Sequence, residues 1–130
     1  MYEQILYDVK DPVAVITFNR PEALNALTGR MQREFKHALA AAESDPAVVG
    51  IVLTGSGRGF CAGADINGLQ STAEGKEGLA EDFSALKASP GDPEMGENFK
   101  VSYSFMLSLK RPIIAAINGP CAGLGFCYAL

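Results

Sequence analysis

The chain has 130 residues, a length that suits a single domain with a buried core of its own. Hydrophobic residues make up 48% and charged residues 20% of the sequence, as in an ordinary soluble globular protein. A formal net charge of −4 without a basic stripe argues against nucleic acid as a partner, and no apolar run reaches the roughly 18 residues of a membrane span.

The cysteines and the N-terminus indicate a reducing compartment. Cys61, Cys121 and Cys127 are odd in number and include no CxxC pair, so they favour neither a disulfide framework nor a zinc site. The first eleven residues carry three acids and lack the basic region and apolar stretch of a signal peptide. We therefore expect a cytoplasmic protein with free thiols.

The N-terminal third of the chain predicts a hairpin followed by a helix. Residues 2–9 and 13–18 alternate in polarity and contain many β-branched side chains, so they indicate two strands joined by a tight turn. Apolar residues then recur every four positions through residues 28–43, which predicts an amphipathic helix. Thr28 is the expected N-cap, and the Ser-Asp-Pro sequence at 44–46 ends the helix.

A buried strand and a glycine-rich loop follow this helix. Residues 48–53 (VVGIVL) form a continuous apolar run, typical of a strand buried on both faces. The next ten residues, 54–63, contain four glycines. A short helix is expected to begin at residues 64–66.

The second half of the chain repeats the helix–strand unit after an acidic interruption. Residues 71–98 carry seven acids against two lysines and predict a mobile surface segment with at most one helix, at 79–87. Apolar periodicity in residues 99–110 predicts another helix, before a buried strand at 113–117 and a helix from residue 122. Helices that alternate with apolar strands imply an α/β fold with a mostly parallel sheet and crossover connections.

The two strand-to-helix loops offer backbone donors to a single oxygen atom. Where parallel strands end and helices begin, N–H groups point out of the carboxyl edge of the sheet, and glycines allow close approach. Two such donors stabilise an enolate or tetrahedral oxyanion, and the loss of one typically costs about 3–4 kcal/mol in the transition state. Such a site needs no metal. The one histidine, His37, lies in mid-helix and is interpreted as a solvated or edge residue rather than a ligand.

Glycine-rich loops allow other interpretations. Residues 57–62 match GxGxxA after a strand, a weak dinucleotide-binding fingerprint, but the next 30 residues lack the expected helix and acid-ending strand. A phosphate-binding loop would end in Gly-Lys-Ser or Gly-Lys-Thr, whereas residues 63–65 are Gly-Ala-Asp. The glycines also fit a purely structural role in tight turns.

Three segments distinguish between these interpretations. Residues 19–27 read NRPEALNAL, residues 59–66 read GFCAGADI, and residues 110–120 read KRPIIAAINGP. They resemble, in order, the first CoA-contact loop, the oxyanion-hole loop and the approach to the second oxyanion segment of the crotonase superfamily, the enoyl-CoA hydratase/isomerase family. Together the three are highly specific, and the resemblance spans nearly the whole chain.

The resemblance implies roles at the matching positions. The backbone N–H groups of Ala64 and Leu124 would form the oxyanion hole, and Leu124 replaces the family's usual middle glycine, so a tighter acyl pocket is expected. Arg20 or Arg58 would be the candidates to reach a phosphate, but a solvated surface arginine is the favoured interpretation of both. The positions that would line the CoA path, mostly through backbone atoms, are Ala23, Leu24, Ala26, Ala62, Asp65 and Ile66.

Cys127 is the main departure from the family pattern. It stands where hydratases of the family carry the first of two catalytic glutamates, and the second would lie beyond residue 130. A thiol does not replace a carboxylate in that role, so we interpret Cys127 as a buried helix residue. Isomerase-type members use a single later glutamate, so Δ3,Δ2-enoyl-CoA isomerisation suits the sequence about as well as hydration. A non-catalytic acyl-CoA-binding module is a further alternative.

The resemblance also implies the fold and the partners. The fold would be the crotonase-like spiral of ββα units. Because the apolar residues 126–130 lack a cap, residues 1–130 are expected to be the N-terminal part of one domain, inactive or poorly active alone. The substrate would be an acyl-CoA thioester, with coenzyme A as part of the substrate and no separate cofactor. The full-length assembly would be a homo-trimer or hexamer.

Overall fold

The computed structural model describes residues 1–68 and 82–130 and places their strands in one sheet, in chain order. The strands are β1 (Ile5–Lys10), β2 (Val13–Phe18), β3 (Gly50–Gly55) and β4 (Ile113–Ala115). β1 and β2 form the predicted antiparallel hairpin, whereas β2, β3 and β4 are parallel. The predicted α/β class with a mostly parallel sheet is therefore confirmed.

Helix α1 (Gly29–Ser44) connects β2 to β3 and covers one face of the sheet. As predicted, Thr28 caps this helix, because its hydroxyl oxygen accepts a hydrogen bond from the backbone N–H of Met31 at 3.0 Å. The rings of Phe35 on α1 and Phe18 on β2 meet edge to face, with centroids 5.6 Å apart. The residues that α1 and the sheet bury together include Ala14, Ile16, Phe18, Met31, Phe35, Leu39, Ile51 and Leu53.

The sheet buries one face rather than two, so the prediction that β3 and β4 are buried on both faces is wrong. Ile51 and Leu53 of β3 point into the core, but Val52 between them is half-buried. β4 is an edge strand of the described sheet, and its Ile114 is 64% exposed on the side away from α1. An apolar run is typical of parallel strands, and these strands are parallel. The run alone does not show whether both faces are covered, and among the described residues one face has no covering element.

The predicted helix at 99–110 is wrong, because this stretch forms turns and a short 3-10 helix. Between residues 82 and 110 the 3-10 segments are Ser84–Leu86, Pro93–Met95, Glu97–Phe99 and Phe105–Ser108. The hydroxyl group of Ser104 donates to the carbonyl oxygen of Asn98, and that of Ser108 donates to Phe105 at 2.6 Å. Serine side chains that bond to nearby carbonyl groups compete with the helical pattern.

The acidic segment is described only in part. Residues 69–81 lie outside the described residues, so the predicted mobility of residues 71–98 stays a prediction. Of the predicted helix at 79–87, the described part, residues 82–87, forms only the 3-10 helix Ser84–Leu86. Residues 66–68 are helical, as expected, and the last helix, α2, spans Leu124–Ala129. No helix in the described ranges is long and apolar enough to cross a membrane.

Three loops follow the carboxyl ends of β2, β3 and β4, and we name them the first loop (residues 19–27), the second loop (residues 56–65) and the third loop (residues 116–123). Isolated parallel bridges pair Leu27 with Ala64 and Cys61 with Cys121. The second loop therefore lies between the other two, in the same order as the strands that lead into them. These bridges bring together the three segments that resemble the family motifs.

Candidate functional site

The second loop is held from both sides by backbone hydrogen bonds. Towards the third loop, the N–H groups of Phe60 and Cys61 donate to the carbonyl oxygen of Pro120 at 3.0 and 3.2 Å, and Ala122 donates to Cys61 at 3.0 Å. Towards the first loop, the N–H of Ala62 donates to the carbonyl oxygen of Leu24 at 2.9 Å. The N–H of Leu27 donates to Gly63 at 2.7 Å, and that of Asp65 donates to Leu27 at 3.0 Å. These bonds determine which backbone groups of the second loop remain available.

Gly63 and Gly123 face each other where the second and third loops meet. Their φ angles are +106° and +52°, in the region that favours glycine. A Cβ atom on Gly63 would lie 3.1 Å from the carbonyl oxygen of Ala122 and 3.6 Å from the backbone nitrogen of Leu124. The close approach therefore depends on glycine, and it places the backbone nitrogen of Leu124 beside Gly63, the residue that precedes Ala64.

Ala64 and Leu124 present backbone N–H groups without an acceptor among the described residues. Leu124 is the first residue of α2, where the N–H groups of a helix have no partner inside the helix. Ala64 lies between Gly63 and Asp65, whose backbone groups both bond to the first loop. Both residues are half-buried. The structure thus brings the two predicted donors together, while their role as an oxyanion hole stays a prediction.

The residues predicted to contact CoA lie along the first and second loops. Ala23, Leu24 and Ala26 are half-buried, and Ala62 is exposed directly beside Leu24. Ile66 follows at the start of the short helix and is 70% exposed. The backbone bonds from Ala62 to Leu24 and from Asp65 to Leu27 hold these positions side by side on the two loops, and we name them the strip.

Arg20 is not the solvated surface arginine that the sequence suggested. Its side chain is 20% exposed, and its Nη1 atom lies 3.1 Å from Oδ2 of Asp65, which is 13% exposed. The same Nη1 donates to the carbonyl oxygen of Ala26 at 2.6 Å. Oδ1 of Asp65 accepts the N–H of Asn67 at 3.0 Å, as a helix N-cap does. Asp65 therefore joins the first loop to the second, a structural role that its sequence position does not reveal. Arg58, by contrast, is exposed.

Sequence reasoning missed Asn25 entirely. It is fully buried, lies in the left-handed region at φ 57°, and uses its side-chain amide to bond the backbone of both the first and the second loop. An asparagine between a proline-containing turn and an apolar helix is a weak signal, although asparagine tolerates this backbone region better than most residues.

The cysteines differ in environment from what the sequence predicted. Cys127 is exposed on α2, so its interpretation as a buried helix residue is wrong. The short α2 turns this side of the helix outward and packs Tyr128 inward instead. Cys61 is buried at the junction of the second and third loops, and burial raises the pKa of its thiol. Burial also raises the pKa of the Cys121 thiol, which lies opposite.

His37 and the cavity beside α1 lie away from these loops. The Tyr2 hydroxyl oxygen lies 2.8 Å from Nδ1 of the half-buried His37, so this histidine is an edge residue of α1, as predicted. A cavity of about 510 Å³ opens between α1 and residues 88–108, with Phe99 and Phe105 among its walls. None of the predicted site residues lines this cavity, so it does not bear on the two backbone donors.

The sequence pattern of the enoyl-CoA hydratase/isomerase family matches residues 8–130. The chain belongs to the enoyl-CoA hydratase/isomerase family. The second loop agrees with this family and not with a dinucleotide-binding loop. A dinucleotide fingerprint would open a helix, whereas residues 57–62 form a turn followed by an isolated bridge at Cys61.

Individual family members show how far the similarity extends. The chain is 37% identical to "Probable enoyl-CoA hydratase EchA14" of Mycobacterium tuberculosis, which it matches over 99% of its own length and 44% of the relative's. It is 34% identical to the 1,2-epoxyphenylacetyl-CoA isomerase of Escherichia coli, over 100% and 45% of the two lengths. The solved enoyl-CoA hydratase/isomerase of Xanthobacter autotrophicus superimposes with a TM-score of 0.73 at 30% identity, over 100% of this chain and 44% of that one. The chain thus spans less than half the length of these relatives.

Proposed function

We propose that this family member binds acyl-CoA thioesters, with the N–H groups of Ala64 and Leu124 donating to the thioester carbonyl oxygen. The proposal rests on two backbone donors, next to the contact between Gly63 and Gly123, that have no acceptor among the described residues. Relatives whose names specify acyl-CoA chemistry support it. Because the donors are main-chain groups, the Leu124 side chain leaves them in place.

The chemistry that this arrangement serves is the formation of an enolate. When a base removes the proton next to a thioester carbonyl, or when water adds across a conjugated double bond, negative charge collects on the carbonyl oxygen. Two fixed N–H donors stabilise that charge more than they stabilise the neutral carbonyl group, which lowers the barrier. No metal and no cofactor apart from the substrate's own CoA enters this proposal.

Hydration, isomerisation and binding without turnover remain three branches of the proposal. A proton-transfer group is needed for either reaction, and the exposed Cys127 is the residue at the position expected for one carboxylate. We propose that the 130-residue chain binds acyl-CoA and turns it over poorly or not at all. A clear hydration signal from this chain with crotonyl-CoA would contradict that part of the proposal.

The path for the CoA moiety follows the strip beside the Ala64 donor. We propose that it contacts mostly backbone atoms of this strip, with the Ile66 side chain exposed beside it. The residues of the strip are Ala23, Leu24, Ala26, Ala62, Asp65 and Ile66. We further propose a cytoplasmic protein that assembles as a trimer or a pair of trimers at full length, which sedimentation of the longer protein would test.

A nuclear magnetic resonance titration tests the proposal directly. Butyryl-CoA should move the backbone amide proton resonances of Ala64 and Leu124 downfield, because each N–H gains an acceptor. The amide proton of Val49, whose N–H already donates to Pro12, serves as the internal control and should not move. If butyryl-CoA binds while the two site resonances stay in place, the donors are assigned wrongly. NAD should leave the whole spectrum unchanged.

A further inference from the structure

Two asparagine side chains converge on the carbonyl oxygen of Gly59, near the start of the second loop. Nδ2 of Asn25 donates to this oxygen at 2.9 Å, and Nδ2 of Asn118 donates to it at 3.3 Å. Asn25 belongs to the first loop and Asn118 to the third. One carbonyl group therefore joins all three loops of the candidate site.

Asn25 has every polar function of its amide occupied. Besides its bond to Gly59, Nδ2 donates to the carbonyl oxygen of Ser56 at 3.0 Å, and Oδ1 accepts the N–H of Arg20 at 2.8 Å. The residue is fully buried, so none of these bonds is replaced by water when it is lost. A side chain with both an acceptor and two donors is needed here, which asparagine provides and aspartate does not.

Asn118 holds the same turn from the opposite side. Its Oδ1 accepts the N–H of Gly55 at 3.1 Å, and its Nδ2 also donates to the carbonyl oxygen of Gly57 at 3.1 Å. The turn leaves no free space, since a Cβ atom on Gly55 would lie 2.5 Å from the carbonyl oxygen of Gly59 and 2.8 Å from Nδ2 of Asn25. The path from β3 into the second loop is thus specified by two amides and by the lack of a side chain at residue 55.

The turn determines where the Ala64 donor lies. Immediately after Gly59, the N–H groups of Phe60 and Cys61 share the Pro120 carbonyl oxygen, and this register places Gly63 against Gly123. A shift of the Gly59 carbonyl group would move the Ala64 N–H relative to that of Leu124. We propose that Asn25 and Asn118 are positioning residues that align the two backbone donors on one oxygen atom, an inference that rests on the proposed function.

Two ligands that differ in a single carbonyl group test the inference by calorimetry. Butyryl-CoA is a thioester with the carbonyl oxygen, and S-butyl-CoA is the thioether without it. The unmodified chain should prefer the thioester by about tenfold, because both donors act on the carbonyl oxygen. Asn118→Asp and Asn25→Asp keep the side-chain size but turn the donor into a second oxygen atom facing carbonyl groups.

The expected result is a loss of preference for the thioester. Each variant should bind the two ligands with affinities within about twofold of each other. The added negative charge acts on the CoA phosphates of both ligands alike, so it does not change the ratio. Asn98→Asp, at an exposed position outside the three loops, is the matched control and should keep the tenfold preference.

The other outcomes separate the inference from the proposed function. An unchanged preference for the thioester, with or without equal weakening of both ligands, would mean that the asparagines do not position the donors, and it would overturn the inference. If the unmodified chain itself shows no preference for the thioester, the proposed oxyanion hole fails first. Should Asn25→Asp not fold, the exposed Asn118→Asp decides the matter.

Discussion

Gly63 and Gly123 face each other with backbone angles that other residues adopt only under strain, and each is followed by a candidate donor. At the scale of single residues, the proposed site depends on backbone geometry. The donors carry the side chains of alanine and leucine, and neither takes part in the proposed chemistry. The site depends instead on glycines, which lack a side chain and let the loops approach, and on side chains such as that of Asn25, which hold the backbone by hydrogen bonds.

Gly63→Ala should weaken binding of butyryl-CoA in addition to lowering stability. The new Cβ atom would lie 3.1 Å from the Ala122 carbonyl oxygen and separate the second and third loops. We expect a loss of roughly 1–3 kcal/mol in the free energy of unfolding, measured in urea. Gly96→Ala is the matched control, because its φ of +100° is equally unfavourable but no described residue lies within 4 Å of the added atom. Equal weakening of ligand binding by Gly96→Ala would contradict this explanation.

The three thiols should react with a disulfide reagent in the order of their exposure. Cys127 should react first and Cys121 more slowly, because burial raises the pKa of the Cys121 thiol and leaves less thiolate at pH 8. Cys61 is buried with a raised pKa and should react only as the protein unfolds. Stopped-flow labelling of the unmodified chain and of Cys127→Ser measures this order. Persistence of the fastest phase in Cys127→Ser would disprove the assignment.

At the scale of elements, helix α1 is joined to the segment before β1 by a buried carboxylate. Oε1 and Oε2 of Glu34 accept the backbone N–H groups of Glu3 and Gln4 at 3.0 and 2.8 Å. Arg30, one turn earlier on α1, lies 3.5 Å from the same carboxylate. The helix thereby orients the hairpin whose second strand leads into the first loop.

Glu34→Ala should be among the more destabilising changes in this chain. It removes a fully buried charged acceptor and leaves two backbone donors and part of a guanidinium group without their partner. The expected loss is about 3–5 kcal/mol in the free energy of unfolding, from urea titration. Glu22→Ala provides the control, since Glu22 is exposed and 4.0 Å from Arg20, and it should lose less than about 1 kcal/mol. Similar losses for both variants would contradict the role of Glu34.

At the scale of the whole molecule, one aromatic cluster joins the sheet, α1, the second loop and α2. The Phe18 ring lies 5.9 Å from Phe60 and the Phe35 ring lies 5.5 Å from Tyr128, measured between centroids. Tyr128 and Gly125 are the buried residues of α2, and Leu124 and Ala129 also pack against the core. Burial is the main cause that raises the pKa of the Tyr128 hydroxyl group, with smaller contributions from neighbouring groups.

Stability should therefore fall as the pH rises above 10. In the unfolded chain a tyrosine ionises near its ordinary value of 10.0, whereas the folded protein keeps Tyr128 neutral to a higher pH. The stabilisation is complete below pH 10 and is lost as the pH rises towards the folded pKa. Urea unfolding at about pH 8 and pH 11 should show a smaller loss for Tyr128→Phe than for the unmodified chain. An equal loss would place the alkaline sensitivity in other groups, such as Tyr2 and Tyr7, whose pKa values burial also raises.

The elements that the sequence predicted correctly are those whose signal is local. The hairpin, α1 with its Thr28 cap, and the parallel strands all follow from periodicity or capping within a few residues. The helix predicted at 99–110 failed although its apolar spacing was suitable, because serine side chains in that stretch bond to nearby carbonyl groups. Periodicity reports which residues are apolar, and it does not weigh such competing hydrogen bonds.

The sequence by itself determined the family and the α/β class, because three motifs and the strand–helix alternation lie within short stretches of chain. It also indicated Ala64 and Leu124, whose backbone N–H groups have no acceptor in residues 1–68 and 82–130. Only the tertiary structure decided that Arg20 is paired with Asp65, that Cys127 is exposed, and that Asn25 joins two loops. The physical reason is sequence distance. Arg20 and Asp65 are 45 residues apart, and Asn25 and Gly59 are 34 apart, so the folded sheet, rather than any local pattern, brings each pair into contact.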